Sequence, residues 1–226
     1  MNALWHRCGT ALAVLIASMA SPAAAAEPCG RDLPPAQIRV SAEHTFPRVS
    51  YAHSSGEIRR QLGSAPRMIA LGLTQSSTTL SVEVQLRSVR DAGGELLCAR
   101  PEVRVTLRHA HLDVWIASEL QRDACVSAIV LEHEMQHVAI ERDTLDWAAQ
   151  QLESRLQAWY QDRVLQGSES DIKAGLVRDF AQRWTPVLEE LLDSSRPRHA
   201  AFDQRDSYGD ASACGGDLFR SARYLQ

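Results

Sequence analysis

The sequence has no surplus of basic residues, no long apolar run and no closely spaced pair of cysteines. Its 24 lysines and arginines are outnumbered by 28 aspartates and glutamates, which gives a formal net charge of -4. A protein that binds nucleic acid by neutralising phosphates would carry a basic surplus, so this class is excluded. Charged residues are 23% and apolar residues 45% of the chain, a composition typical of folded globular proteins rather than disordered ones.

Residues 1–26 have the pattern of a secretory signal peptide. A weakly cationic start is followed by an apolar core, Ala11 to Ala20, and the small residues Ala24 to Ala26 offer a cleavage site. The apolar core is too short for a stable membrane anchor. We therefore expect a mature chain that starts near Glu27, is periplasmic or secreted, and has no stable membrane insertion.

The sequence contains five cysteines, and Cys8 lies in the predicted signal peptide. An even number in an exported chain predicts two disulfides, for which three connectivities are possible. Their wide spacing argues against both a dithiol redox motif and a thiolate zinc site. The cysteines of the mature chain are Cys29, Cys98, Cys125 and Cys214.

The first half of the mature chain has the pattern of β-strands. Apolar and polar residues alternate over 80–87 and 103–108, with turn residues at 91–94 between them, which predicts a hairpin. Shorter strands are predicted over 45–51 and 68–73, whereas the proline-containing segment 27–44 is predicted to be irregular. A capping box at Ser54 to Glu57 predicts a short helix.

The second half has the pattern of helices. No glycine or proline occurs between Ser118 and Gln166, and apolar residues recur there at spacings of three, four and seven, which predicts one long helix. Further helices are predicted over 171–184 and from Thr185-Pro186 to about Asp193. Residues 195–226 are predicted to be a loop-rich tail, pinned only by Cys214.

This order of elements predicts an α+β fold, in which a small antiparallel sheet is followed by a long helix and further helices. We expect three regions. Residues 1–26 are the signal peptide, residues 27–166 form a core of sheet and long helix, and residues 167–226 are helices and a tail packed on that core.

The long helix contains the sequence HExxH, formed by His133, Glu134 and His137. Residues four apart lie on one face of a helix, so both imidazoles can reach a single metal ion, and imidazole suits Zn²⁺. Glu134 is then placed to act as general base and acid on water. The pattern predicts a zinc site with His133 and His137 as ligands and Glu134 as the catalytic residue.

The third metal ligand is ambiguous. Glu141 lies about 9 Å along the helix from the expected metal position, a distance that its side chain does not easily cover. It is better suited to orienting an imidazole, or is simply a solvated charge. Asp143 stands where metzincins have their third ligand, but those proteins turn the chain at a glycine where this sequence has Ile140. An uninterrupted helix would carry Asp143 away from the metal.

Later residues are the remaining candidates for this ligand, and none has a specific signature. Upstream, His109 and His111 are weaker candidates as ligands. Either of them, or Tyr208, could instead donate a hydrogen bond to the oxyanion of a tetrahedral intermediate. The later candidates are Glu189, Glu190, His199, Asp203 and Asp206.

Several segments together resemble an uncharacterised bacterial family of secreted HExxH proteins that are assigned as zinc-dependent proteases. These segments are Ser50-Tyr51, the stretch from Ser54 to Leu62, Cys98 ahead of a strand, Trp115, and the block from His133 to Ile140. The resemblance covers roughly residues 45–155, and only the HExxH block is specific. It implies a zincin-like fold and a peptidase activity.

The sequence thus predicts an exported zinc metallopeptidase that cleaves peptide or protein substrates. The alternation over Arg104 to Arg108 is typical of a solvated strand face. A second interpretation is that this strand runs beside the cleft, pairs with an extended substrate and favours acidic segments. Two alternatives stay open: a catalytically degenerate metal-binding module of the cell envelope, and a protein-interaction module that uses the charged face of the long helix. The substrate and the oligomeric state are open.

Overall fold

The centre of the molecule is a hairpin of two long antiparallel strands, β3 (Gly72–Arg90) and β4 (Leu97–Ile116). The structure, a computed structural model, describes residues 29–63, 70–91, 94, 96–206 and 214. The predicted hairpin is confirmed, and both strands extend well beyond the alternating segments. The apolar residues of the alternation share one face of the sheet, where Leu80, Val82 and Val84 pair with Leu107, Val105 and Val103.

Three further strands complete a mixed five-stranded sheet around β4. Strands β1 (Gln37–Glu43) and β2 (Arg48–Ser50) run parallel to β4, and β5 (Leu165–Gly167) runs antiparallel to it. The α+β class is confirmed, but the sheet is not purely antiparallel as predicted. Strand β1 also corrects the prediction that residues 27–44 are irregular.

Strand β4 has a neighbour on each side over most of its length. Between Glu102 and Arg108 it pairs with β1 on one side and β3 on the other. No free edge is left there, so the prediction that the strand at Arg104 to Arg108 pairs with an extended substrate is wrong. Among the described residues, strand β3 pairs only with β4, and we call its other edge open because no described strand pairs with it.

A β-bulge divides the hairpin into two halves. The register shifts between Ser77 and Thr78, which pair with His111 and His109, so Ala110 is the extra residue. Before the bulge the odd-numbered residues of β4 are buried, and after it the even-numbered residues are buried, up to Ile116. The bulge thus keeps one face apolar and continues β4 through the segment after His109.

The long helix α2 (Ala124–Tyr160) packs across the apolar face of the sheet. Its residues Leu145, Leu152 and Leu156 are fully buried against β1 and β4, and burial of one such side chain contributes about 1.5–3 kcal/mol. The helix begins later than predicted, because Ser118–Arg122 form a 3-10 turn and Asp123 provides the cap, accepting a hydrogen bond from Val126 N at 3.1 Å. It ends before the predicted position, and β5 follows.

Helix α1 (Ser55–Gln61) packs near the C-terminal end of β4. Its N-terminus has the capping box that the sequence predicted. The Ser54 hydroxyl accepts a hydrogen bond from the Glu57 backbone, and the Glu57 carboxylate accepts one from Ser54 N at 2.8 Å. The helix buries Ile58 completely. This apolar contact fixes α1 against the part of the core that lies below the first half of α2.

The C-terminal helices are nearly continuous. Helix α3 (Glu169–Asp179) leads through a π-turn, Phe180–Trp184, into α4 (Thr185–Asp193). Thr185 was predicted to cap α4, but its hydroxyl instead donates to the carbonyl of Phe180 at 3.1 Å. The π-turn thus allows the helix to continue through Pro186, whose backbone nitrogen has no hydrogen to donate.

Helix α5 (Ser195–Arg205) corrects the prediction of a loop-rich tail from residue 195. Pro197 is accommodated because it lies in the first turn, where backbone N–H groups have no partner inside the helix. The helix has no apolar stripe, and several of its contacts with α2 are polar. Arg198, for example, reaches Thr144 at 3.0 Å and Asp143 at 3.2 Å.

Two disulfides are formed, as predicted. Cys29 is bonded to Cys98, and Cys125 is bonded to Cys214, which selects one of the three connectivities. The second bond attaches the C-terminal segment to the first turn of α2. Residues 1–26, the predicted signal peptide, lie outside the described part of the chain. Among the described residues, no helix has both the length and the apolar character needed to cross a membrane.

Candidate metal centre

The HExxH residues lie in the middle of α2, on the side that faces the sheet and α5. His133 and His137 are one turn apart and are 6% and 9% exposed. Their Nε2 atoms are 3.1 Å from each other. Two buried imidazoles thus direct the same ring nitrogen to one point, as the sequence spacing predicted.

Helix α5 brings a carboxylate to the same point. Asp203 Oδ1 lies 2.9 Å from His137 Nε2 and 3.4 Å from His133 Nε2. These three side chains form the only group of three or more potential metal ligands in the part of the chain that the structure describes. Asp203 was one of several third-ligand candidates in the sequence, and α5 selects it.

The three donor atoms fit a small tetrahedral cation. Bonds of about 2 Å in a tetrahedron place neighbouring donors about 3.3 Å apart, close to the 2.9 to 3.4 Å found here. Two imidazoles and one carboxylate are a known ligand set for such ions. The Asp203 side chain is 54% exposed, so the group is open to solvent on that side.

Phe202 packs against both imidazoles. Its ring centroid is 4.8 Å from that of His133 and 5.1 Å from that of His137. The phenyl ring therefore restricts the rotation of both imidazoles on the α5 side. Since Phe202 precedes Asp203 in the chain, one turn of α5 supplies both a donor and the apolar contact beside it.

Glu134 is buried beneath the start of β3. The Thr74 hydroxyl donates to Glu134 Oε2 at 2.8 Å, and Gly72 lies directly over the carboxyl group. A Cβ atom at Gly72 would come within 2.7 Å of Glu134 Cγ. Burial raises the pKa of the Glu134 carboxyl to about 7, although the hydrogen bond from Thr74 lowers it. A carboxyl with a pKa in this range can both accept and release a proton near neutral pH.

A chain of hydrogen bonds leads from His137 away from the three donors. His137 Nδ1 lies 2.7 Å from His199 Nδ1, and His199 Nε2 lies 2.5 Å from Glu141 Oε1. The Ser76 hydroxyl donates to Glu141 Oε2 at 2.6 Å. Burial would raise the pKa of Glu141, but the hydrogen bonds from His199 and Ser76 outweigh it and hold the pKa below its usual value.

The other predicted third-ligand residues lie elsewhere. Glu189 and Glu190 are exposed on α4, and Asp143 is paired with Arg198. Asp206 Oδ2 is 3.7 Å from His133 Nδ1, the ring nitrogen opposite to the one that faces Asp203. Glu141 contacts the imidazole of His199, as described above.

The two upstream histidines are not part of the group of three donors. His109 is buried in β4, on the face that α2 covers, and is 1% exposed. His111 is exposed after the bulge, with its Nδ1 3.3 Å from a guanidinium nitrogen of Arg48. Tyr208, the third proposed oxyanion donor, lies outside the described residues.

Three functional positions on β3 were missed from the sequence. Gly72, Thr74 and Ser76 face α2 in the same row as the apolar residues that follow them in β3. Small and hydroxyl-bearing residues replace apolar ones where the strand meets Glu134 and Glu141. This change in residue type along β3 is visible in the sequence. The sequence alone does not show that Glu134 and Glu141 of α2 lie opposite it.

Comparison of the chain with protein-family models, with curated proteins and with solved structures found no match.

Proposed function

We propose that this protein is an exported zinc-dependent metallopeptidase. The observation that supports this most directly is the convergence of His133, His137 and Asp203 next to the buried carboxyl of Glu134. The three donors would hold the ion, and the zinc would supply Lewis-acid chemistry at a carbonyl and at water. This role does not require any further ligand from the protein.

In this proposal Glu134 is the general base and acid. Its carboxyl takes a proton from the attacking water and returns it to the nitrogen of the leaving amine, so that the peptide bond is exchanged for an acid and an amine. The hydrogen bond from Thr74 and the absence of a side chain at Gly72 hold the carboxyl in place. The α+β arrangement, with HExxH on a helix that packs against a sheet, supports a zincin-like fold.

An extended peptide is the substrate class that the sheet best supports. The open edge of β3 begins at Gly72 and Thr74, the residues that lie over Glu134. A peptide that pairs with this edge would run past the catalytic carboxyl while its backbone groups form hydrogen bonds with β3. This proposal replaces the predicted role of β4.

The two disulfides and the predicted signal peptide support an exported location. Disulfides form and persist in oxidising compartments such as the bacterial periplasm, and both bonds are between cysteines of the predicted mature chain. We therefore propose that the protein acts in the periplasm or after secretion.

The test combines metal content with peptide cleavage. Mass spectrometry of the purified mature protein should give about one zinc per chain, and a His133→Ala/His137→Ala double variant should contain none. Glu134→Gln should retain zinc and lose cleavage of a peptide library. A native protein that takes up no zinc from excess metal would overturn the proposal. Zinc binding without cleavage would instead favour the metal-binding module of the cell envelope.

A further inference from the structure

His199 forms a bridge between a proposed zinc ligand and a buried carboxylate. Its Nδ1 faces His137 Nδ1 at 2.7 Å, and its Nε2 faces Glu141 Oε1 at 2.5 Å. Both ring nitrogens are therefore used in contacts within the protein. The side chains of His199 and Glu141 are 23% and 18% exposed, so water competes little for these contacts.

The direction of each hydrogen bond follows from the chemistry of the groups. An ionised Glu141 can only accept, so His199 Nε2 must donate to it. A neutral imidazole with its proton on Nε2 has an acceptor at Nδ1. His137 must then donate from Nδ1, because that is the atom His199 Nδ1 contacts. A His137 ring protonated at Nδ1 has its lone pair on Nε2.

We propose that His199, held by Glu141, is a positioning residue that fixes His137 in the tautomer whose Nε2 lone pair faces the metal. This inference rests on the proposed zinc site and deepens it. His199 is not a ligand in this proposal, although it was one of the sequence candidates for that role. It acts by removing the competing tautomer, in which Nε2 carries the proton and cannot bind a cation.

The position of His199 on α5 supports this role. His199 and Asp203 are one turn apart on α5, as His133 and His137 are on α2. Because the two residues share one face of α5, packing of that face against α2 brings both Asp203 and His199 to the site. Ser76 on β3 donates the other hydrogen bond to Glu141 at 2.6 Å, so three separate elements define the orientation of His137.

The test compares His199→Leu with His199→Gln. Leucine removes both hydrogen bonds, whereas glutamine carries an acceptor and a donor about as far apart as the two imidazole nitrogens. Two quantities are measured: the dissociation constant for zinc, by competition with a chelator, and the tautomer of His137 in the zinc-free protein, by long-range ¹H–¹⁵N NMR. His111→Leu, at an exposed histidine on the other face of the sheet, is the control.

We expect His199→Leu to weaken zinc binding by about 10- to 100-fold, the usual effect of losing a partner of a metal-binding histidine. In this variant the Nε2-protonated tautomer of His137 should become populated. His199→Gln should restore both quantities to near the native values, and His111→Leu should leave both unchanged.

Two outcomes would overturn the inference. One is a His199→Leu variant that binds zinc as tightly as the native protein, and the other is a zinc-free native protein in which His137 carries its proton on Nε2. Neither outcome would count against the zinc site. Conversely, a native protein that binds no zinc would overturn the proposed function, and the tautomer of His137 would still test the role of His199.

Discussion

The hydroxyl of Thr74 lies 2.8 Å from Glu134 Oε2 and 3.1 Å from the backbone carbonyl oxygen of the same residue. One side chain of β3 is therefore attached both to the Glu134 carboxyl of HExxH and to the backbone of the helix that carries it. The contact joins residues sixty positions apart in the chain. It is the most direct link between the sheet and the proposed chemistry.

Replacement of Thr74 by valine should lower catalysis without removing zinc. Valine has nearly the same shape but cannot donate, and a hydrogen bond to a charged group contributes about 1.5–3 kcal/mol. We expect kcat for peptide cleavage to fall by about 10- to 100-fold, with an unchanged dissociation constant for zinc. Thr74→Ser keeps the hydroxyl and should retain most of the activity. Equal kcat values for Thr74→Val and the native protein would contradict this role.

Gly72→Ala should displace the Glu134 carboxyl. A Cβ atom there would lie 2.7 Å from Cγ and 2.8 Å from Cδ of Glu134, so the carboxyl must move. A displacement of about 1 Å can cost about 100-fold in rate, and overpacking costs about 1–3 kcal/mol of stability. We expect both losses, measured by peptide cleavage and by urea unfolding.

The matched control for Gly72→Ala is Gly175→Ala, in helix α3. A Cβ atom at Gly175 would meet nothing within 4 Å, and alanine in a helix is favoured over glycine by about 0.5–1 kcal/mol. The control should be slightly more stable than the native protein and fully active. If Gly72→Ala were as active as this control, the close contact with Glu134 would be wrong.

The two histidines of the site could be read from the sequence, whereas the third donor could not be singled out. The spacing of His133 and His137 is a local property of one helix, and any helix puts residues four apart on one face. Asp203 meets them only because α5 docks against α2. The face of α5 that makes this contact consists of polar side chains around Phe202, so the apolar periodicity that reveals most helices is absent.

The sheet shows the same division between local and tertiary information. Alternation predicted the β3–β4 hairpin, because a hairpin is a local structure. Strand β1 was missed, although Ile38 and Val40 alternate with polar residues, because two prolines precede it. Its parallel pairing with β4 could not be predicted, since it joins segments more than sixty residues apart.

Asp203 and Asp206 should differ in their effect on zinc binding. Asp203 Oδ1 lies 2.9 Å from His137 Nε2, among the donors, whereas Asp206 Oδ2 lies 3.7 Å from His133 Nδ1, behind the ring. We expect Asp203→Asn to raise the dissociation constant for zinc by more than about 100-fold, since it loses a charged ligand. Asp206→Asn should raise it by less than about 10-fold.

Isothermal titration of zinc into both variants, after removal of metal from each, gives this comparison directly. The two substitutions make the same change in charge, so a general electrostatic effect on the site would affect both alike. Similar losses for the two variants would contradict the assignment of Asp203 as the third ligand.

His109 should make the fold sensitive to acid. Burial lowers its pKa below the ordinary value, although the carboxylates of Glu141 and Asp146 raise it, and the positive charges of His44 and Arg142 lower it further. Its Nδ1 has no hydrogen-bond partner among the described residues. A proton is therefore bound more tightly in the unfolded chain, where the pKa of histidine is about 6.5. The contribution of His109 to the free energy of unfolding is therefore at its full value above about pH 6.5. It decreases as the pH drops towards the lower pKa of His109 in the folded state.

His109→Leu should remove this part of the pH dependence. The free energy of unfolding, measured with urea at pH 7.5 and pH 5.5, should fall less between the two values in the variant than in the native protein. The decrease in the native protein should exceed that in the variant by at most about 1.4 kcal/mol. This is the effect of keeping one group neutral at one pH unit below its ordinary pKa. His111→Leu, which removes an exposed histidine two positions away, should keep the native pH dependence. Equal pH dependence in His109→Leu and the native protein would mean that the pKa of His109 is the same in the folded and unfolded chain. That result would contradict the burial of His109 without a partner.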